Sequence, residues 1–178
     1  MSENIVLKWG NNSYLKWTDF KAESNPAVFE DSRSVIKYRF TWTVNSDNVD
    51  GEIKFLIEDI QVSVDFNPLL SWVRISESND DLLNHEQGCF DLAELVKREN
   101  IAKLEGKFYS KPFSTRGKNE EQQKQFAKED SGKMIAEEVE KLQQLYDEKC
   151  HKYQDETKFS HDAEQQSKYN LSFKSLRS

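Results

Sequence analysis

In the stretch LLNHEQGCFDLAEL, residues 82–95, apolar residues recur at helical spacing. The apolar positions on one side are Leu82, Cys89, Ala93 and Val96, beside Phe90, Leu92 and Leu95. This spacing predicts a helix from about Asp80 to about Leu104. The segments on either side of that helix have different periodicities, which indicate strands before it and helices after it.

The segment before this helix has the alternation of β-strands. Within residues 34–44, alternate positions from Ile36 to Val44 are apolar, which is typical of a half-buried strand. Residues 52–66 alternate in two registers that exchange near Glu58 and Asp59, so we expect a bulge or bend there. The stretch VNSDNVDG, residues 44–51, is rich in Asn, Asp and Gly and predicts the turn between the two strands.

The segment after the helix is predicted to be helical again. A second helical region begins near Glu120, and EDSG at residues 129–132 is a candidate interruption. Beyond it runs an apolar stripe at helical spacing, formed by Ile135, Val139, Leu142, Tyr146, Cys150 and Tyr153.

The length and the order of these elements predict an α+β chain with one domain, residues 1–178. Within it we expect a β-rich part over 1–75, the helix within 78–106, and a helical C-terminal part over 118–178. We further expect Ile36, Tyr38, Phe40 and Trp42 to face the helix at 80–104, because both elements have an apolar side.

Net charge and the distribution of apolar residues limit the classes of binding partner and the locations that the sequence predicts. A net charge of −7 argues against a basic nucleic-acid-binding surface. No apolar run is long enough for a transmembrane helix, so no membrane span is expected. The opening MSENIVLKW lacks the features of a signal peptide, which predicts a cytoplasmic protein if Met1 is the native start. A secreted or periplasmic location follows instead if a signal segment has been removed.

The helix at 82–95 contains an incomplete HExxH motif. In that motif, two histidines four residues apart chelate zinc, and the glutamate between them is the general base for the bound water. Here His85 and Glu86 hold the first two positions, and Cys89 occupies the second ligand position. A thiolate can also bind zinc. The alternative is that Cys89 is a small buried hydrophobe on the apolar side of the helix.

Four segments, in order, resemble a bacterial domain family described as secreted zinc-dependent proteases. The helix segment LLNHEQGCFDLAELVKRE is similar to the family signature LLxHEQGHFDIAEIYAR, with HEQGC in place of HEQGH. Upstream, YLKWTDFKA and DFNPLLSWVR look like the LxWxDFxG opening and the SWVK segment. Downstream, YQDETKFSHDAEQQSKYN resembles YDxETxHGxxxxxQxxW. The resemblance runs from about Trp9 to about Tyr169 and implies a zincin-like fold.

The resemblance also implies where the family's zinc ligands would lie. They would be the two histidines of the helix and the histidine after ET. His85 and Glu86 match, Cys89 replaces one histidine, and Phe159 stands where the last is expected, followed by Ser160 in place of glycine. His161 lies two residues beyond, and a shift of that size moves a side chain by up to about 7 Å. We expect His85, Glu86 and Cys89 to lie near residues 156–161.

The remaining candidates are weaker. Cys150 and His151 are adjacent, but neighbours on a helix do not share a face, so we predict core packing for Cys150 and solvent for His151. A nucleophilic pair of Cys89 and His85 lacks a visible third group to orient it. The sequence has no glycine-rich phosphate loop and no GxSxG motif.

Three hypotheses follow. The first is a degenerate, bacterial metalloprotease-like pseudoenzyme that needs no cofactor and binds an unknown protein or peptide. The second is an active zinc-dependent peptidase with His85, Cys89 and His161 as ligands and Glu86 as base. The third is an interaction module that uses the stripe of the long helix. Zinc content would separate the second hypothesis from the other two.

Overall fold

A computed structural model describes residues 5–178 and has an α+β architecture, with antiparallel strands followed by helices. The strands are β1 (Leu7–Lys8), β2 (Ser32–Arg33), β3 (Ile36–Val49), β4 (Glu52–Phe66) and β5 (Trp72–Val73). The helices are α1 (Asp80–Gly106), α2 (Glu120–Thr157) and α3 (Ala163–Phe173). Short 3-10 helices occupy Trp17–Asp19, Ile75–Glu77 and Lys174–Arg177. The predicted order, with a long C-terminal helix after the sheet and α1, is confirmed.

The strands form two small sheets. In the three-stranded sheet the order is β1-β4-β3, and β1 pairs with β4 so that Leu7 lies opposite Phe66. In the other sheet β2 pairs with β5, with Ser32 opposite Val73. The short strand β2 therefore has a fixed register, which positions Ser32 for its contact with Glu86 of α1.

The hairpin between β3 and β4 is tighter than the sequence predicts. The turn expected over residues 44–51 is wrong, because β3 continues to Val49. Only Asp50 and Gly51 form the loop, with φ of 53° and 83°. A two-residue hairpin of this kind needs positive φ at both loop positions, which Asp-Gly supplies at low strain.

The predicted bulge in β4 is present. Asp59 has φ of 51° in the middle of the strand. Ile57 and Ile60, three residues apart, are both buried, so the inward face changes parity between them. An extra residue in a strand produces this change of parity.

Each helix begins at an Asn or Asp that caps it. The Oδ1 atoms of Asn79, Asn119 and Asp162 accept hydrogen bonds from the main-chain N–H groups three residues later, at 2.8, 2.9 and 3.1 Å. These bonds satisfy N–H groups that have no partner within the helix. Capping fixes the starts of α1 and α2 close to the predicted positions.

The stretch EDSG does not interrupt α2, which is continuous through residues 129–132. Gly132 instead gives room to Trp42, since a Cβ atom there would lie 2.9 Å from the indole Cζ2 atom. The Trp42 indole N–H also donates to Ser131 Oγ at 2.9 Å. The glycine is therefore kept for a close approach rather than for a helix break.

The inward face of β3 is only partly as predicted. Tyr38 does face α1, because its hydroxyl donates to the Ala93 carbonyl at 2.6 Å. For Trp42 the expected partner is wrong, since its half-buried indole lies against α2. Lys128 Nζ lies 3.8 Å from its ring centroid, a cation–π contact.

The described chain divides into two compact units, each with its own core. The first comprises residues 5–38, 63–96 and 144–178, and its core includes Phe66, Phe90 and Tyr153. The second comprises Arg39–Val62 and Lys97–Gln143, with Phe55 and Ile135 in its core. The candidate site lies entirely in the first unit.

Over the residues described, no helix is long and apolar enough to cross a membrane.

Candidate functional site

Helix α1 brings the predicted site residues together in the interior. His85, Glu86 and Cys89 are 0%, 3% and 2% exposed. The C-terminal segment reaches the same place, since the Phe159 ring centroid lies 6.2 Å from that of His85. Thr157 Oγ1 also lies 3.4 Å from His85 Nδ1. The expected proximity of His85 to residues 156–161 is confirmed.

The imidazole of His85 is fixed by the side chain of Gln166. The Gln166 Nε2 atom donates to the Tyr153 hydroxyl at 2.9 Å and to Asn170 Oδ1 at 3.1 Å. This leaves Gln166 Oε1 facing His85 Nδ1, at 3.0 Å. Since an amide oxygen only accepts, Nδ1 carries the hydrogen and Nε2 has the free lone pair.

The Nε2 atom of His85 is buried and has no hydrogen-bond partner among residues 5–178. Burial lowers the pKa of His85, because charging the ring in a dry interior is unfavourable; the nearby Glu86 carboxylate and the bond to Gln166 oppose this shift without reversing it. The ring is therefore held in its neutral form with one unused acceptor.

Aromatic rings enclose His85 on two sides. The Tyr153 ring stacks on the imidazole, with centroids 4.8 Å apart and planes at 8°. Its hydroxyl donates to the His85 carbonyl at 2.8 Å. Gly88, one turn of α1 away, makes this approach feasible, since a Cβ atom there would lie 2.1 Å from the Tyr153 hydroxyl oxygen. The glycine of HEQGC is thus a packing requirement.

The carboxylate of Glu86 is engaged by two serine hydroxyls. Ser32 Oγ donates to Glu86 Oε1 at 2.6 Å, and Ser34 Oγ donates to Oε2 in a short hydrogen bond. Each carboxylate oxygen therefore already accepts a bond from the β2 region. A general base would need one of these oxygens to face a water or a substrate.

The sulfur of Cys89 lies against a second thiol. Both cysteines are free, and their Sγ atoms are 3.8 Å apart. The hydrogen bond to Cys150, together with burial, raises the pKa of Cys89, whereas the same bond lowers the pKa of Cys150 by stabilising its thiolate. Core packing, predicted for Cys150, is only partly correct, because its side chain is half-buried and adjoins a surface cavity.

The chain reverses sharply after α2. Lys158, Phe159 and Ser160 have φ of 49°, 51° and 86°, all in the left-handed region. Non-glycine residues adopt that region at a cost of roughly 1–2 kcal/mol each. Ser160, which stands where the resembled family has glycine, therefore adopts a conformation that favours glycine.

These residues do not fit a catalytic zinc, which needs three protein ligands and an open position. His85 supplies one free nitrogen, Cys89 shares a hydrogen bond with the Cys150 thiol, and Phe159 supplies no ligand atom. His161 is exposed, as is His151, which was predicted to lie in solvent. Across the described residues, no three His, Cys, Asp or Glu side chains are grouped so that they could hold a metal ion.

Sequence reasoning missed the side chains that surround this helix face. Thr157 and Gln166 lie within the segment YQDETKFSHDAEQQSKYN, and both contact His85. Nothing in the spacing of Ser32 and Ser34 pointed to Glu86, because the contact spans 54 and 52 positions of the chain. Tyr153 was assigned to the apolar stripe of α2, and its hydroxyl turns out to bridge His85 and Gln166.

Compared with known proteins, the chain matches no family model, no curated protein and no solved structure. The resemblance to the zinc-dependent protease family therefore stays a prediction that rests on its four sequence segments.

Proposed function

We propose that this chain is a zincin-like protein of the bacterial zinc-dependent protease type whose metal site has been lost. It hydrolyses no peptide with zinc and acts by binding a protein or peptide partner. The observation that carries the proposal is the Phe159 ring beside His85, with centroids 6.2 Å apart. In the resembled family, that position would bring a third histidine to the metal.

The surroundings of His85 support this assignment. The resemblance implies an imidazole at this position, whereas the phenyl ring of Phe159 carries no donor atom. It also packs edge-to-face on Phe29, with centroids 5.3 Å apart. An aromatic pair of this kind stabilises an apolar arrangement by about 0.5–1.5 kcal/mol. A former ligand position has thus become part of an aromatic cluster.

Glu86 and Cys89, the other two residues of the incomplete motif, also support the proposal of a lost metal site. Both oxygens of Glu86 accept hydrogen bonds from serines, which holds the carboxylate away from the role of a base. Cys89 has the sulfur of Cys150 as its neighbour, and burial with this hydrogen bond raises its pKa. A protonated thiol is not a zinc ligand, because zinc binds the thiolate.

One observation favours the second hypothesis, an active zinc peptidase using His85, Cys89 and His161. The buried Nε2 of His85 has a free lone pair, and the opposite nitrogen is fixed by Gln166. Metal-binding histidines share this arrangement, with one nitrogen on the metal and the other N–H held by an acceptor. The two hypotheses differ in how many ligands accompany this nitrogen.

The test is to restore the two missing histidines. Cys89→His combined with Phe159→His should bind one zinc ion per chain, at least about tenfold more tightly than either single variant, because ligands act together. Zinc would be measured by equilibrium dialysis against a competing chelator. The matched control pairs Cys89→His with Phe29→His, which adds an imidazole at an exposed position beside Phe159.

Each outcome decides between the hypotheses. Tight binding by the double variant only, with none by the wild-type chain, supports a lost site on a retained scaffold. One zinc per wild-type chain that is lost on Cys89→Ser would establish the active site instead. Equal binding by the control would show that any added histidine suffices, and failure of the double variant would remove the family geometry from the proposal.

A further inference from the structure

Cys89 and Cys150 are placed so that a disulfide can form between α1 and α2. Their Sγ atoms are 3.8 Å apart, although 61 positions separate the residues in the chain. A disulfide has an S–S distance of about 2.05 Å, so the sulfurs need to approach by about 1.8 Å. Rotation about the side-chain torsion angles of the two cysteines is the movement that would bring the sulfurs together.

The two sulfurs differ in their access to solvent. Cys89 is buried, whereas Cys150 is half-buried and lines a surface cavity of about 310 Å³. Basic and acidic side chains both line this cavity, namely Arg33 and Lys37 with Glu30 and Asp147. A small oxidant that enters this cavity therefore meets Cys150 before the buried Cys89.

We propose that Cys150 and Cys89 form an oxidisable dithiol, a modification site at which Cys150 reacts with a hydroperoxide and Cys89 resolves the product into an internal disulfide. In the first step the Cys150 thiolate attacks one peroxide oxygen, the O–O bond breaks, and the other oxygen leaves as an alcohol or water after taking a proton. Cys150 becomes a sulfenic acid.

In the second step the Cys89 sulfur attacks the sulfenic sulfur. The S–O bond breaks, water leaves with the thiol proton, and the disulfide forms. Two electrons pass from the two thiols to the peroxide, so two thiols and one hydroperoxide give one disulfide, one alcohol and one water. Because Cys89 already contacts Cys150, resolution competes well with further oxidation.

This inference does not depend on the proposed loss of the zinc site. The reaction uses the contact between the two thiols and the cavity beside Cys150. Both features are present whether or not His85 once belonged to a zinc site. Oxidation would connect α1 to α2 covalently next to Glu86, to which Cys89 is close in sequence. The region around Cys89 and Cys150 would therefore have two forms, a reduced dithiol and a disulfide that joins α1 to α2.

The experiment exposes the wild-type chain to a stoichiometric amount of hydrogen peroxide in the presence of a chelator. We expect intact mass spectrometry to show the loss of two hydrogen atoms, and peptide mapping to show Cys89 joined to Cys150. Neither thiol should react with maleimide in denaturant until a dithiol reductant is added. Three results would overturn the proposal. They are oxygen atoms added to Cys150 while Cys89 can still be alkylated, two thiols that remain unreacted, and dimers linked through Cys150.

Two variants test the order of attack. Cys150→Ser should slow the loss of the remaining thiol by at least about tenfold, because Cys89 is enclosed. Cys89→Ser should accumulate a sulfenic acid at Cys150 that dimedone traps. If Cys89 in the Cys150→Ser variant reacts as fast as the wild-type pair, the assigned order is wrong. Should either variant fold poorly, the wild-type mass measurement still decides the proposal.

Discussion

Replacing Gly88 with alanine should destabilise the protein although alanine is the better helix former. The added Cβ atom would lie 2.1 Å from the Tyr153 hydroxyl oxygen and 2.8 Å from Cζ. An ordinary contact is about 3.5 Å, so the ring has to move by about 1.4 Å. That movement breaks two buried hydrogen bonds of the Tyr153 hydroxyl, to the His85 carbonyl and from Gln166.

The expected magnitude follows from three contributions. Overpacking a core destabilises by about 1–3 kcal/mol. Loss of two hydrogen bonds adds about 0.5–1.5 kcal/mol each. The higher helix propensity of alanine offsets about 1 kcal/mol. The free energy of unfolding should therefore fall by about 1–5 kcal/mol, centred near 3 kcal/mol.

The assay is urea unfolding of Gly88→Ala beside Gly106→Ala. Gly106 ends the same helix and has no atom within 4 Å of an added Cβ, so its alanine variant should be neutral or stabilised by up to about 1 kcal/mol. Combining Gly88→Ala with Tyr153→Phe should destabilise by less than the sum of the two changes, because the clashing hydroxyl is removed. A Gly88→Ala variant as stable as Gly106→Ala would refute this account of the packing.

Two further predictions concern the same region. Burial lowers the pKa of His85 from 6.5, so there is a pH range in which the unfolded ring takes up a proton and the folded ring does not. The free energy of unfolding is therefore at its full value above about pH 6.5. It falls as the pH drops towards the pKa of the folded state. Urea unfolding between about pH 7.5 and 5 should show this slope in the wild type and a smaller one in His85→Gln; identical slopes would contradict a buried neutral ring. Ser160→Gly should raise the free energy of unfolding by up to about 1 kcal/mol, since φ of 86° favours glycine. Ser167→Gly, at an exposed position within α3, should lower it by about 0.5 kcal/mol, and a stabilised control would mean that backbone strain is not the cause.

The elements themselves were predictable because their signals are local. Alternation identified the long strands, and the exchange of parity at Glu58 and Asp59 located the bulge. Helical spacing located the starts of α1 and α2 near Asp80 and Glu120, and the structure then showed which residues cap them. These patterns reflect which side of an element is buried, and a few neighbouring residues carry that information. The turn at residues 44–51 was misplaced because polar residues are compatible with an exposed strand as well as with a loop.

The site depended on distant contacts that no local pattern contains. The sequence placed His85, Glu86 and Cys89 on one helix, and the resemblance brought Phe159 towards them. Only the tertiary structure paired Glu86 with two serines of the β2 region and set Cys89 against Cys150. Such contacts arise when elements far apart in the chain pack together, and the packing is determined by the shapes of many side chains at once. Sequence periodicity predicts which residues are buried. Which residues they contact within the core depends on the packing of the whole folded chain.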